Sequence, residues 1–228
     1  MLDIHSHILP SIDDGVKTLE ESLDALKGLY DLGFRHIVAT PHFYPGKYTP
    51  SIEEIQVALE EVKELIRRKN IAVTIILGRE CFLDYELVTA RDRSTFPFLW
   101  NNIKYQLIEL PQMSVPAAIS SYVQTLRSTH IVPILAHAER YNQIIRDPDR
   151  IHHFISLGFR IQIDLASFAP TSNKALRETA LSLLRNNLVD IVASDIHRPS
   201  QLEALSKGLE FLRKECGNEN IEQFFSLP

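Results

Sequence analysis

The chain opens on a histidine pair, His5-Ser6-His7, and returns to histidine at His42, His137 and His197, with the carboxylates Asp14, Glu80, Glu109 and Asp195 spaced among them. Imidazole nitrogens and carboxylate oxygens with no thiolate beside them suit first-row divalent ions such as Mn, Fe or Zn. On a strand, period-two alternation points the His5 and His7 rings the same way, so one ion can take both. A lone buried His or Asp at a strand end is more often a hydrogen-bonded core or capping residue than a ligand. Five imidazoles and four carboxylates on one rim are a different matter. Unpaired, they would strongly destabilise the fold.

Whether they share a rim depends on the elements that carry them. Short β-rich runs alternate with longer helical patterns, the signature of βα units around a parallel sheet. Seven strands are predicted: Leu2 to His5, Arg35 to Thr40, Ala72 to Leu77, Tyr105 to Leu110, Val132 to His137, Arg160 to Leu165 and Asp190 to Ser194. Helical patterns cover Leu19 to Leu32, Ile52 to Arg68, Val115 to Arg127, Pro148 to Leu157, Lys174 to Asn186 and Gln201 to Lys214, and the connection around Tyr85 to Arg93 has the weakest pattern. Successive βα units without a linker or boundary predict an α/β fold, a distorted (β/α)7 TIM-like barrel occupying residues 1–228 as a single domain.

Active sites of parallel barrels sit at the carboxyl ends of the strands. In this register His5 and His7 close the first strand, His42 follows the second, His137 closes the fifth and His197 follows the seventh. Asp14, Glu80, Glu109 and Asp195 fall on the same rim, whereas His36, His130, His152 and His153 fall at amino ends or in a helix.

Composition narrows the classes. With 24 basic against 29 acidic residues the net charge is −5, which removes charge-driven nucleic-acid binding and any pull towards anionic membranes. The longest apolar run, Ile71 to Leu77, is strand-sized, so no membrane insertion is expected, and the first residues lack the features of a signal peptide. Two cysteines, Cys81 and Cys216, make no disulfide framework, and an intracellular, cytoplasmic setting is expected.

The motifs Met1-Leu2-Asp3-Ile4-His5-Ser6-His7-Ile8-Leu9-Pro10, Asp13-Asp14-Gly15, Ala39-Thr40-Pro41-His42, Gly78-Arg79-Glu80, Ile108-Glu109-Leu110-Pro111, Ala136-His137-Ala138-Glu139-Arg140 and Ser194-Asp195-Ile196-His197 resemble those of the polymerase-and-histidinol-phosphatase (PHP) superfamily. Within it they are most similar to the manganese-dependent bacterial protein-tyrosine phosphatases of capsule and exopolysaccharide loci. The resemblance implies the PHP fold, a distorted barrel, and three divalent metal ions, Mn first with Fe or Zn as alternatives. It groups His5, His7, Glu80 and Asp195 on one ion, Asp14, His42 and His197 on a second, and Glu109, His137 and a bridging Glu80 on a third. Arg140 matches the family's phosphate-binding arginine. Two stretches depart from the pattern: Ala138 stands where the family commonly has Pro, and Asp164-Leu165-Ala166-Ser167 replaces a Thr-Ser-Gly-Ser-like turn. The family's second arginine has no clear counterpart, and Arg198, beside His197, is the available substitute.

Three divalent ions against four carboxylates would leave about two positive charges, a natural host for a dianionic phosphate ester. The expected reaction is attack on phosphorus by a metal-activated water, with Arg140 stabilising the equatorial oxygens. Asp195, His197 or a coordinated water would protonate the leaving oxygen, and the sequence does not choose among them. Phe43, Tyr44 and Tyr48 would flank a phosphotyrosine ring. The partner implied by the resemblance is a tyrosine-phosphorylated protein, a membrane-associated bacterial tyrosine kinase. A cysteine-dependent mechanism is excluded, since the arginine it needs six places after the nucleophile is replaced by Leu87 and Glu222. An amidohydrolase would carry a lysine where Glu109 stands. The competing readings are a histidinol-phosphatase-like enzyme for small phosphomonoesters and a catalytically silent, metal-bound phosphotyrosine-binding scaffold.

Overall fold

Apolar β-rich runs become parallel strands because each must be covered on both faces, by helices outside and by its own ring inside. The computed structural model describes residues 1–83 and 96–228. The expected connection at Tyr85 to Arg93 lies outside the described residues. The strands are β1 (Leu2–Ser6), β2 (His36–Ala39), β3 (His42–Phe43), β4 (Thr74–Leu77), β5 (Glu80–Phe82), β6 (Phe98–Trp100), β7 (Ile103–Glu109), β8 (Ile131–Leu135), β9 (Arg160–Asp164) and β10 (Ile191–Ala193). The helices are α1 (Leu19–Leu32), α2 (Ile52–Arg68), α3 (Ile119–Ser128), α4 (Asn142–Arg146), α5 (Ile151–Leu157), α6 (Lys174–Arg185) and α7 (Leu202–Cys216).

β2 and β4 fall on the expected strands, while β3 and β5 continue their lines beyond the expected ends at Thr40 and Leu77; they pair in parallel, β2 with β4 and β3 with β5. Pro41 has no N–H to give the ladder, and Gly78-Arg79 interrupts the second line. The parallel order continues β5-β7-β8-β9-β10. The ring closes at its carboxyl rim, where His7 N–H donates to Ile196 O at 2.9 Å and Asp195 N–H donates to His5 O at 2.9 Å. β6, which the sequence pattern did not predict, pairs antiparallel with β7 and brings Phe98 against Gly78. A Cβ on Gly78 would lie 3.2 Å from Phe98 and 3.1 Å from Val38, a tight approach in which those side chains would have to give by a few tenths of an ångström.

α1 and α2 have the expected bounds because both carry strong start signals: Thr18 accepts from Glu21 N–H, and Ser51 with Glu54 forms a reciprocal capping box. The other boundaries moved. The helix expected from Val115 starts at Ile119, beyond Pro116, and the one expected from Pro148 begins as a 3-10 turn, Pro148–Arg150, before α5. The outer core lies between helices and sheet, while Leu2, Ile4, Val38, Leu107, Ile134, Ala136, Ile191 and Ala193 plug the barrel beneath its rim.

Candidate metal centre

Above that aliphatic plug the inward positions turn polar. Leu2 and Ile4 point into the plug, yet His5 and His7 also lie at the centre, so the alternation of β1 slips by one place. The β1–β2 register shifts between Asp3 and Ser6, and this irregularity re-aims the histidines. His137 was expected to close a strand, but β8 ends at Leu135, and His137 sits beyond it in the left-handed region at φ 34°. Asp195 likewise lies past β10, at φ 48°. Such conformations are uncommon for residues other than glycine and are held here by surrounding packing.

The nine expected donors lie at one rim. His5 Nε2 is 3.1 Å from Asp195 Oδ1, 3.2 Å from Glu80 Oε2 and 3.2 Å from His7 Nε2. Asp14 Oδ1 stands 3.3 Å from His42 Nε2 and 3.6 Å from His197 Nε2, with His7 completing a four-residue group able to hold an ion. His137 Nε2 is 3.1 Å from Glu80 Oε1 and 3.7 Å from Glu109 Oε1. Glu80, fully buried, touches every group, because its Oε2 is also 2.9 Å from His42 Nδ1. His42, Glu80 and Glu109 form a further possible ligand set, which ties His42 to the third group as well as the second.

Supports hold the rings. His7 Nδ1 is 2.7 Å from Asp13 Oδ2, His197 Nδ1 is 3.0 Å from Asp195 O, and His5 Nδ1 is 3.2 Å from Gln162 Oε1. In each case the second nitrogen, Nε2, is left for the centre, the arrangement that metal-binding histidines use. Asp13 also accepts the N–H groups of His42 and Gly15, each at 2.9 Å. A Cβ on Gly15 would sit 2.3 Å from His7 O, so only glycine lets this loop fold over the pair.

Electrostatics test whether a cation belongs here. Burial disfavours charged imidazole, yet Glu80 and Asp14 outweigh it and raise His42 to about 10. His137, depressed by burial and by Arg140, is still raised to about 9 by Glu80 and Glu109. Burial would raise Asp13, but its pairing with His7 holds it at about 2. Burial, then the charge of Glu80, pushes Glu109 up. Protons thus occupy nitrogens that face carboxylates. Glu80 Oε2 faces nitrogens of His5, His7 and His42, Asp195 Oδ1 those of His5 and His7, and Asp14 Oδ1 those of His42 and His197, all between 2.9 and 3.6 Å. Carboxylate oxygens that each face two or more imidazole nitrogens fit divalent ions, which would take the place of the protons between them.

Arg140 reaches the edge of this centre, its Nη2 paired with Asp164 and lying 2.7 Å from Asp195 Oδ2. Tyr48 stacks on His42 with ring centres 5.6 Å apart, and Tyr44 stacks one layer out, on Phe82 at 3.9 Å. Phe43 neighbours His42 on a strand, so it turns to the opposite face, packs partly buried on the core and lies under the Arg79 guanidinium. Arg198 is exposed, and among the described residues no ion pair ties it to the centre. Cys81 is buried, which pushes its thiol up to about 12 and leaves it inert. Sequence reasoning missed Asp13, Gln162, Glu139 and the pairing of Asp164, although Gln162 and Asp164 interrupt an apolar strand at the inward period of two.

The chain is 30% identical over 234 residues to the tyrosine-protein phosphatase CpsB of Streptococcus agalactiae serotype III (strain NEM316), covering 99% of this chain and 95% of that one. A solved structure from a pair described as YwqE of Bacillus subtilis and CpsB of Streptococcus pneumoniae, unique metal-dependent tyrosine phosphatases, superposes with a TM-score of 0.85 at 29% identity, over 99% of this chain and 94% of that one. The histidinol phosphate phosphatase of Lactococcus lactis, at 12% identity and a TM-score of 0.57 over 93% of this chain and 92% of that one, shares the fold. The match to the family described as capsular polysaccharide synthesis, CpsB/CapC, runs over residues 1–227, and the chain belongs to that family.

Proposed function

We propose that this chain is a metal-dependent protein-tyrosine phosphatase that acts on a tyrosine-phosphorylated protein. The observation that carries the reading is the convergence of His5, His7, His42, His137, His197, Asp14, Glu109 and Asp195 around a fully buried Glu80, with Arg140 at the edge. The relatives named as tyrosine phosphatases support the substrate class. Three ions, Mn before Fe or Zn, are assigned to His5, His7, Glu80 and Asp195; to Asp14, His42 and His197; and to Glu80, Glu109 and His137. When bound, divalent ions supply Lewis-acid charge to phosphoryl oxygens and lower the pKa of water.

The chain's own groups do the rest. Arg140 binds the phosphate, presenting a part-exposed guanidinium held by two carboxylates, and stabilises charge on the equatorial oxygens. His197, part-buried beside Asp195 and assigned to an ion through Nε2, can help to hold the water that protonates the departing phenolate. Tyr48, with Tyr44 behind it, lines one side of the entrance where an aromatic ring enters. The kinase partner is a membrane-associated bacterial tyrosine kinase and the setting is the cytoplasm; no helix among the described residues is long and apolar enough to cross a membrane.

The test is phosphate release by chelated protein, with and without added Mn2+, from a phosphotyrosine peptide, a phosphoserine peptide and histidinol phosphate. Activity that returns with Mn2+ and favours phosphotyrosine is expected. Activity on histidinol phosphate alone would overturn the tyrosine reading, and metal-dependent peptide binding without turnover would leave a scaffold.

A further inference from the structure

Of the barrel strands around the centre, β9 supplies none of the nine proposed donors, yet it turns two polar side chains inward. Gln162 and Asp164 are at most 1% exposed, while Ile161 and Ile163 between and before them pack outward in the helix layer. β8 with the residue that follows it, and β10, place Ile134, Ala136, Ile191 and Ala193 on the corresponding inner face. Two polar groups set into an aliphatic ring destabilise it unless they are bonded.

Their bonds fix an orientation. Gln162 Nε2 donates to Asp164 Oδ1 at 2.9 Å, Gln162 Oε1 accepts the His137 N–H at 2.8 Å, and the same oxygen lies 3.2 Å from His5 Nδ1. A backbone N–H can only donate and an ionised carboxylate can only accept, so both neighbours demand the same placement of the amide oxygen and nitrogen. An oxygen facing His5 Nδ1 requires the proton on that nitrogen and leaves Nε2 free to bind a metal. Asp164, held by Gln162 on one oxygen, presents the other to Arg140. Its backbone N–H donates to Glu139 Oε1 at 3.1 Å, an oxygen that also accepts the Ser167 hydroxyl at 2.5 Å, so the loop after β9 is tied to the turn that carries Arg140.

We propose that Gln162 and Asp164 form a positioning pair with two separable arms. Gln162 sets which nitrogen of His5 faces the metal site, and Asp164 aims the Arg140 guanidinium at the phosphate. The inference rests on the metal-centre reading above and adds to it the residues that orient a ligand and the phosphate-binding group.

The experiment is a Mn2+ titration of the full chain against a chromophoric chelator, beside inhibition of the loaded enzyme by inorganic phosphate. Gln162→Met, which keeps the volume but removes the acceptor, is expected to weaken the tightest Mn2+ site about 10–100-fold. Gln162→Glu, which restores an acceptor, recovers that affinity but sets a second carboxylate against Asp164 and disturbs the Arg140 arm. Asp164→Asn leaves Mn2+ affinity unchanged and raises the phosphate concentration for half-inhibition about tenfold, the scale of one charge-assisted hydrogen bond. If Gln162→Met titrates like wild type, Gln162 does not position His5, and if Asp164→Asn leaves the half-inhibiting phosphate concentration unchanged, Asp164 does not aim Arg140. Should that variant fail to fold by circular dichroism, 15N NMR of the Zn2+-loaded wild type decides: a proton on His5 Nδ1 supports the assignment, and one on Nε2 overturns it. A wild-type chain that binds no divalent ion would remove the metal-centre reading and this inference together, whereas a wild type that binds with an indifferent Gln162→Met removes the inference alone.

Discussion

The two ends of the barrel are built from the same strands and treat charge in opposite ways. At the amino end, Arg160 and Asp190 pair at 2.7 Å with side chains 48% and 28% exposed, and His36 lies edge-on to Trp100. At the carboxyl rim Glu80 meets His5, His7, His42 and His137 out of contact with water. A solvated pair loses little hydration and returns little stability. A buried cluster loses its hydration entirely and persists only if something compensates each charge. The contrast shows where the fold maintains a costly arrangement, and so where its chemistry lies.

Four perturbations bear on that contrast, and the largest effect belongs to the rim. Glu80→Ala removes the carboxylate shared by every ligand group, and turnover should vanish with the helical circular dichroism signal retained; wild-type rates in this variant would end the assignment of the centre. Arg140→Ala should lower kcat/KM on a phosphotyrosine peptide by about 10²–10³-fold while leaving bound Mn2+ unchanged by elemental analysis. A parallel loss of metal would instead make Arg140 a structural counter-ion to Asp164 and Asp195.

Acidity gives the third. Without a metal, His137 and His42 are raised to about 9 and about 10 by their carboxylate neighbours, so both are protonated at neutral pH. Metal binding at pH 7 must therefore release protons, and the calorimetric enthalpy should scale with the ionisation enthalpy of the buffer. The same raised values set a stability window. An imidazole whose pKa is higher in the folded than in the unfolded chain stabilises fully below about 6.5 and ceases to do so as pH rises through the folded value. The Tm of metal-free protein should fall from about pH 6.5 towards pH 9–10 on account of these groups, and the loss should shrink when metal replaces the protons. The smallest effect belongs to the amino end: Arg160→Ala should cost less than about 1 kcal/mol and leave kcat unchanged, as befits an exposed pair. A large loss of activity there would mean the two ends are coupled.

Much of this was legible from local chemistry. The βα alternation depends on hydrophobic period and on caps such as Thr18 and Ser51, which act within a few residues, and α1 and α2 have the bounds their sequences imply. The donors could be assigned to one rim because residues that follow strands of a parallel barrel must share one end. Aiming was less legible. The place of Phe43 beside His42 does not show its direction, since neighbours on a strand face opposite sides and Phe43 turns to Arg79. β6 has only three residues, and its pairing with β7 and the approach of Phe98 to Gly78 depend on contacts that no local pattern encodes.

By itself, the sequence determined which groups are present, that they are imidazoles and carboxylates rather than thiolates, and which end of the strands they occupy. These follow from residue type, hydrophobic period and chain direction. Only the tertiary structure decided which nitrogen or oxygen faces which. The register shift in β1 breaks the alternation that sequence spacing assumes, and the left-handed turns at His137 and Asp195 swing their side chains inward beyond the strand ends. Gln162 contacts His5 across 157 positions of chain. Ligand direction depends on such long-range packing and hydrogen bonding, which exist only once the barrel has closed.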